Sequence, residues 1–245
     1  MRVFAILPVA LLAMACGSTG TGSSGTSGSS GTQDPGQTRI DESKLEKRDV
    51  NPQGKAYPSG PYGTAKRGSA TSVNRGDVIQ NFRFLGYPKS VKDEGLKTVA
   101  LVDFYNPDGA NGNIKLIHIQ AAGTWCVYCR NEQDMVTPKM AEIEGKGVVW
   151  LTAVVEGAKI GNPAEMTDID NWVSRHKTVN TVMIDSANKN LGVFFRQAAL
   201  PWNGWIDART MEILAYQEGA PPNYEAFASD MNTWLKFVDA NPVQQ

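Results

Sequence analysis

Cysteine and histidine are scarce in this chain, and their scarcity limits the chemistry open to it. The 245 residues include three cysteines and two histidines. Three cysteines cannot build the disulfide framework that holds small secreted domains together. A zinc site formed on two of the cysteines would need two further ligands, and a histidine within an apolar run, such as His118, is more often a core residue than a metal ligand. We therefore expect no metal.

Charge of one sign and long apolar runs are also missing. The formal net charge is −1, with both signs well mixed, so nothing indicates binding to nucleic acid or to an acidic membrane surface. The apolar run at residues 3–14 is too short to span a bilayer as a mature helix. With Arg2 before it, this run has the form of a secretory signal peptide, predicted over residues 1–15.

The residues that end this segment predict a lipid anchor. The sequence Leu12-Ala13-Met14-Ala15-Cys16 resembles a bacterial lipoprotein cleavage site, at which the sulfur of Cys16 would carry a diacylglycerol. The larger aliphatic residue usual three places before the cysteine is here Ala13. Ordinary signal peptidase could also cleave after Ala15 and leave Cys16 as a free thiol. Both readings predict an exported protein.

A change in composition divides the rest of the chain. Residues 17–32 are all Gly, Ser or Thr, which is typical of a flexible tether with an end-to-end distance of about 20–25 Å. Residues 33–75 are polar and predict a mostly irregular lead-in. The folded domain is expected over residues 76–240, followed by a short tail over residues 241–245.

The other two cysteines lie in a motif with a specific setting. An apolar run, Ile114 to Ile119, is followed by Cys126-Val127-Tyr128-Cys129 and then by a helical pattern. The N–H groups and dipole at a helix N-terminus stabilise a thiolate. A strand leading to Cys-x-x-Cys at the start of a helix therefore predicts a thiol-disulfide exchange centre. Haem attachment would need histidine at position 130, which is Arg130.

Hydrophobic periodicity on both sides of the motif predicts an α/β fold with a central mixed sheet flanked by helices. Turn residues and strand-like alternation favour a hairpin near the C-terminus, followed by an amphipathic helix. Strands are predicted over residues 98–105, 114–121, 147–155, 181–184, 202–207 and 212–217, and helices over 128–144 (kinked at Pro138), 168–177, 191–197 and 224–238.

Two motifs in this arrangement resemble the thioredoxin superfamily. They are AGTWCVYC at residues 122–129 and LPWNGWID at residues 200–207. The nearest likeness is to membrane-tethered, extracytoplasmic thiol-disulfide oxidoreductases of the TlpA/ResA type, over about residues 76–240. The resemblance implies a thioredoxin-like fold in which Cys126, the more exposed cysteine, attacks a disulfide and the buried Cys129 resolves the intermediate.

The resemblance also assigns supporting roles. Pro201 would form a cis peptide bond facing the sulfurs, with Leu200 beside it in a substrate groove. Trp202, next to Pro201, is either a further groove residue or, like most of the six tryptophans, a core or pocket-lining residue. Trp125 would shield the site. Glu132 matches a glutamate that tunes thiol acidity, although a surface glutamate in a first helical turn is also favoured by the helix dipole alone.

Some residues depart from the family pattern. Thioredoxin has a buried aspartate six residues before its first cysteine, and here that place is Gln120, which cannot act as a base. No proline lies between the cysteines, and Asp134 stands where a helix proline is common. These departures leave the thiol pKa and the redox direction open.

We expect a monomeric enzyme without cofactors that exchanges disulfides with protein clients, apocytochromes being one kind. It would be lipid-anchored in the bacterial envelope and would depend on a membrane-bound electron donor or acceptor. Reduction is favoured over oxidation. One alternative is a non-catalytic surface lipoprotein that uses the fold for binding. Another is a thiol peroxidase, although Ile119 and Gly123 occupy the places of that family's proline and threonine.

Overall fold

A computed structural model describes residues 45–60, 76–194 and 199–242. The predicted signal peptide, Cys16 and the Gly/Ser/Thr tether lie outside the described residues. Within the described part of the chain, no helix is both long enough and apolar enough to cross a bilayer.

A mixed sheet forms the centre of the fold. Strands β3, β4 and β5 run parallel to one another, and the other neighbouring pairs are antiparallel. The strand order across the sheet is β2-β1-β5-β4-β3-β6-β7. The strands are β1 Arg83–Tyr87, β2 Lys97–Ala100, β3 Leu116–Gly123, β4 Val148–Glu156, β5 Thr181–Ile184, β6 Trp202–Asp207 and β7 Ile213–Glu218. This arrangement confirms the predicted α/β class and the C-terminal hairpin.

Helices cover the sheet and follow the predicted pattern closely. They are α1 Val127–Val136, α2 Met140–Gly145, α3 Met166–His176 and α4 Tyr224–Ala240. The helix predicted over residues 128–144 is divided in two by a 3₁₀ turn, Thr137–Lys139. Pro138 lies in this turn and has no backbone N–H to continue the α-helical hydrogen bonds. The short helix predicted over residues 191–197 is a 3₁₀ turn over Leu191–Val193.

The strand predicted over residues 98–105 is too long and must be corrected. Strand β2 ends at Ala100, and Leu101–Phe104 forms a 3₁₀ turn. The carboxylate of Asp103 accepts a hydrogen bond from the backbone N–H of Ala100, at 2.9 Å. This local bond turns the chain away from the sheet, although the run is apolar enough to continue the strand.

The core has two parts, because successive side chains of a strand point to opposite faces of the sheet. Ile117 and Ile119 of β3 pack in a cluster with Ile169 and Trp172 of α3. Leu116 belongs to a second cluster, built mainly with α2, α4, Trp150 and Trp205.

Residues 45–60, in the predicted lead-in, pack against the domain. They contain no helix, and their side chains reach strands and turns far along the chain. The amide of Asn51 donates to the carbonyl of Tyr105 at 2.9 Å, and the hydroxyl of Tyr57 donates to that of Ile79 at 2.8 Å. Arg48 forms an ion pair with Asp103 at 3.0 Å.

Candidate active site

Cys126 and Cys129 form a disulfide at the start of α1. Strand β3 ends at Gly123, and Cys126 is the N-cap residue of the helix, with its Sγ 3.2 Å from the backbone N of Cys129. The helix therefore directs an N–H group at the sulfur of the first cysteine, which favours a thiolate there once the disulfide is reduced.

The expected difference in exposure between the two cysteines is very small in this disulfide form. Cys126 is 1% exposed and Cys129 is fully buried. The residues between them are exposed instead, 48% for Val127 and 65% for Tyr128. An apolar residue and an aromatic ring thus mark the outer surface of the motif.

The loop before β6 lies directly beside the disulfide. The Leu200–Pro201 peptide bond is cis, as the resemblance implied. The Sγ of Cys126 lies 3.5 Å from the carbonyl oxygen of Leu200, which is far along the chain. The pairing of β3 with β6 brings these two loops to the same edge of the sheet.

Trp125 is held against the site by a residue that sequence analysis missed. Its Nε1 donates to Oε2 of Glu156, at the end of β4, at 2.6 Å. A side chain at Gly123 would come within 2.8 Å of that indole nitrogen and 3.2 Å of Leu200. Glycine therefore allows the strand end, Trp125 and Leu200 to meet.

The prediction that Trp202 lines a substrate groove is wrong. Its side chain is fully buried, and its ring stacks between those of Phe194 and Tyr216, at centroid distances of 5.9 and 6.5 Å. Trp202 belongs to the first core cluster, so its side chain points into the core. Leu200, 7% exposed, remains beside the disulfide.

Glu132 is the main correction to the predicted site. It is 1% exposed, so the interpretation of a surface glutamate favoured only by the helix dipole is wrong. Its Oε2 accepts hydrogen bonds from Gln120 Nε2 at 2.8 Å and from Asn203 Nδ2 at 3.2 Å. Burial raises the pKa of Glu132 above its ordinary value near 4.5, and these two hydrogen bonds partly offset the rise. The resulting pKa is about 7.

Gln120 connects this carboxylate to the second cysteine. Its Nε2, besides donating to Glu132, lies 3.3 Å from the carbonyl oxygen of Cys129. Its Oε1 lies 3.5 Å from the hydroxyl of Thr152 on β4. A glutamine cannot take up a proton here, but its amide donates a hydrogen bond to Glu132, which can and which lies on the same helix as Cys129.

Asn203 and His118 extend the same polar row and were not predicted as site residues. Asn203 lies opposite Gln120 in the β3–β6 pairing, and its Oδ1 is 3.0 Å from Nε2 of His118. The His118 ring lies among Trp150, Trp205 and Phe227, and burial lowers the pKa of His118 to about 3. Only the antiparallel register between β3 and the predicted strand over residues 202–207 could have indicated that these two side chains meet.

The second histidine lies elsewhere. Nδ1 of His176 is 2.6 Å from the carboxylate of Asp134. Within the described residues, no group of three or more His, Cys, Asp and Glu side chains is placed to hold a metal ion.

No protein-family model matches this chain, and no curated protein matches it by sequence. Solved structures do resemble it. A putative thiol:disulfide interchange protein DsbE from Chlorobium tepidum is 18% identical with a TM-score of 0.50, and the match covers 67% of this chain and 99% of that one. A putative protein disulfide isomerase from Bacteroides thetaiotaomicron is 15% identical with a TM-score of 0.51, over 68% and 91% of the two chains. These likenesses show a thioredoxin-like fold.

Proposed function

We propose that this protein is a thiol-disulfide oxidoreductase that acts on protein disulfides through Cys126 and Cys129. One observation carries the proposal. The disulfide lies at a helix N-terminus next to the cis Leu200–Pro201 bond, and the same helix carries the buried carboxylate of Glu132. A purely structural disulfide needs neither a buried acid on its helix nor a loop whose backbone reaches the sulfur. Both features are useful in thiol-disulfide exchange.

The reducing reaction has two exchange steps. The thiolate of Cys126 attacks one sulfur of the client disulfide, and the other client sulfur leaves as a thiolate. Cys129 then loses its proton and attacks Cys126, which breaks the mixed disulfide and releases the second client thiolate. The client gains two electrons and the protein ends as the disulfide. Glu132 lies on the same helix as Cys129, and Gln120 contacts both its carboxylate and the backbone carbonyl of Cys129. We propose that Glu132 accepts the proton of the Cys129 thiol.

Client binding is proposed along the loop before β6. An extended peptide can pair with exposed backbone by strand addition, and the carbonyl of Leu200 lies 3.5 Å from the reacting sulfur. Val127 and Tyr128, the exposed residues of the motif, offer apolar contact area to the same client.

The place and direction of the reaction are part of the proposal. The N-terminal sequence pattern supports export and lipid anchoring through Cys16 to an envelope membrane. A monomer is part of the same proposal. In an oxidising compartment a reductant needs a supply of electrons. We therefore propose a membrane-bound donor upstream, with reduction as the physiological direction.

The central test is to capture the intermediate. Cys129→Ser should accumulate a mixed disulfide between Cys126 and a client, because the resolving thiol is gone, and mass spectrometry of alkylated extracts would identify it. The double variant Cys126→Ser/Cys129→Ser is the control and should capture nothing. Cys126→Ser alone should abolish turnover of a model disulfide. Absence of any adduct and of any cycling would favour the binding-module alternative.

The redox direction has its own measurement. Equilibrating the protein in thiol buffers gives the reduction potential of the Cys126–Cys129 pair. A value near about −270 mV would agree with a reductant, whereas one near about −120 mV would make the protein an oxidant. For the anchor, Cys16→Ala should release the protein from membranes, and an unchanged membrane fraction would contradict lipidation.

A further inference from the structure

A pocket opens beside the redox motif, between α3 and the start of α1. Its volume is about 640 Å³, within the range of about 300–1,000 Å³ that is usual for ligand sites. Its described lining includes Thr124 and Trp125, which precede the first cysteine, Arg130 of α1, and Asp168 and Arg175 of α3. This pocket is named the arginine pocket below.

Helix α3 provides one wall of the arginine pocket. Asp168, Asn171 and Arg175 line it, and their spacing of three and four residues places them on one face of the helix. Arg175 lies in the last turn and Asp168 in the first, about 10 Å apart along the helix axis. The carboxylate of Asp168 accepts a hydrogen bond from the backbone N–H of Glu165 at 2.8 Å. The negative charge of the wall is therefore at one end and the positive charge at the other.

Arg130 adds a second positive charge from the side of α1. Its Nη1 donates to the carbonyl oxygen of Thr124 at 3.0 Å, which holds the guanidinium against the loop before Cys126 and uses one of its five N–H donors. Within the described part of the chain, neither Arg130 nor Arg175 forms an ion pair. Two arginines without a carboxylate partner face one aspartate, so the described lining has a net positive charge.

Two side chains of the same lining keep a polar atom unpaired. Oγ1 of Thr124 and Nε2 of His176 are buried and have no hydrogen-bond partner among the described residues. The other ring nitrogen of His176 pairs with Asp134, which is not among the described lining residues. Buried polar atoms are costly to leave unpaired. A lining with such atoms and two free guanidinium groups suits a polar, anionic ligand better than an apolar one.

We propose that the arginine pocket binds an acidic side chain, Asp or Glu, that lies close in sequence to the reacting cysteine of the client. The inference rests on the proposed function and makes the pocket a specificity site for it. Trp125 lines the pocket, and a side chain at Gly123 would meet both its indole and Leu200. A client paired with the loop before β6 is therefore a few residues from the pocket, since an extended chain covers about 3.3 Å per residue.

A carboxylate is the group that fits this lining. Guanidinium groups present planar forks of N–H donors that match the two oxygens of a carboxylate. A basic client residue would be repelled by the same groups. Because Arg175 is exposed and Arg130 half-buried, the attraction is partly screened by solvent. The pocket would therefore select among clients, whereas the exchange chemistry itself depends on the cysteines.

The test compares how fast the reduced full-length protein reduces matched peptide disulfides. Each substrate is a peptide dimer joined through its single cysteine, with both termini blocked to remove their charges. One panel carries Glu at successive positions near the cysteine, and the matched panel carries Gln. Alkylation and mass spectrometry of Cys126 and Cys129 give the second-order rate constants. The ratio of the Glu to the Gln rate constant isolates binding, because a change in thiol reactivity alters both rates equally. The same ratio with dithiothreitol corrects for the reactivity of the peptides.

At the position that reaches the pocket, the wild type should reduce the Glu peptide about fivefold faster than the Gln peptide. Arg175→Gln and Arg130→Gln should each lower this ratio towards one. Arg83→Gln, the same change outside the described lining, is the matched control and should keep the ratio. Arg175→Glu should favour a peptide with Lys at that position over the Glu peptide.

A ratio near one at every position in the wild type would overturn the inference. So would a ratio that both arginine-to-glutamine variants leave unchanged. Failure to reduce any of the peptides would instead count against the proposed function, so the two failures are distinguishable.

Discussion

The two faces of strand β3 are equally buried but chemically opposite. Ile117, Ile119 and Ala121 point into the apolar cluster beside α3, and all three are fully buried. His118 and Gln120 alternate with them and are 2% and 0% exposed, yet their side chains belong to a polar row. Burial alone therefore does not identify the core of this domain. The hydrogen bonds distinguish the face that only packs from the face whose side chains can take part in chemistry.

Beyond Gln120, the polar face continues as a satisfied network on the α1 side. The hydroxyl of Thr152 donates to Oε1 of Gln133 at 2.8 Å, and Asn180 donates to Thr152 at 3.1 Å. These bonds offset the cost of burying amides. Towards α4, in contrast, Oε1 of Glu132 and Nδ1 of His118 have no hydrogen-bond partner among the described residues. Unsatisfied atoms concentrated at one end of an otherwise paired row indicate a functional end.

The largest effect should come from the apolar face. Ile119→Ala removes a fully buried side chain and should lower the free energy of unfolding by about 2–5 kcal/mol. The reactivity of the folded disulfide should change little, because Ile119 points away from Gln120. Urea unfolding measures the loss. Ile160→Ala is the matched control at a residue 72% exposed and should stay within about 0.5 kcal/mol of wild type. Equal losses in both would contradict the assigned packing.

The next effect should come from the polar face and should depend on pH. Glu132 has a pKa of about 7 in the folded chain against an ordinary 4.5, so the folded state binds the proton more tightly than the unfolded state. Stability from this group is present below about pH 4.5 and is lost as pH rises through about 7. Relative to Glu132→Gln, the wild type should lose up to about 3 kcal/mol across that window.

Chemical unfolding at a series of pH values measures this difference. Glu225→Gln, the same change at an exposed glutamate of α4, is the matched control. Its difference from wild type should stay nearly flat over the window. A flat profile for Glu132→Gln as well would show that Glu132 does not titrate as a buried acid.

A smaller effect should follow when the polar row is made apolar. Gln120→Leu removes the 2.8 Å hydrogen bond to Glu132 Oε2 and should cost about 1–3 kcal/mol of stability. It should also raise the pKa of Glu132 further, because that hydrogen bond favours the ionised carboxylate. Infrared titration of the carboxyl band gives the midpoint. Gln80→Leu, at an exposed glutamine, is the control. A midpoint shifted downward in Gln120→Leu would contradict the assigned contact.

The smallest effect on stability should come from the outer surface of the motif. Tyr128 is 65% exposed, and Tyr128→Ala should change the free energy of unfolding by no more than about 0.5 kcal/mol. If its ring contacts clients, adduct yields in a Cys129→Ser background should nevertheless fall. Tyr128→Phe keeps the ring and should retain the yield. Equal yields from the alanine and phenylalanine variants would remove Tyr128 from the client-binding surface.

Sequence reasoning predicted those parts of the site that depend on neighbouring residues. The spacing of Cys126 and Cys129 at a strand–helix junction, and the proline at position 201, are visible in short segments. The sequence left Trp202 between groove and core, because its neighbour Pro201 says nothing about which way the side chain points. Asn203 and His118 were missed because no local pattern marks an amide and an imidazole that meet across two strands.

The local pattern of the chain thus determines most of the helices and strands, the redox motif and the fold class, since periodicity, turn residues and helix-start signals act over a few positions. Only the tertiary structure decides the environment of Glu132. The pairing of β3 with β6 places Gln120 and Asn203 around its carboxylate. Burial and hydrogen bonds from distant segments set the pKa of an acid. Neither can be derived from the sequence around that acid, because both arise only when the segments pack together.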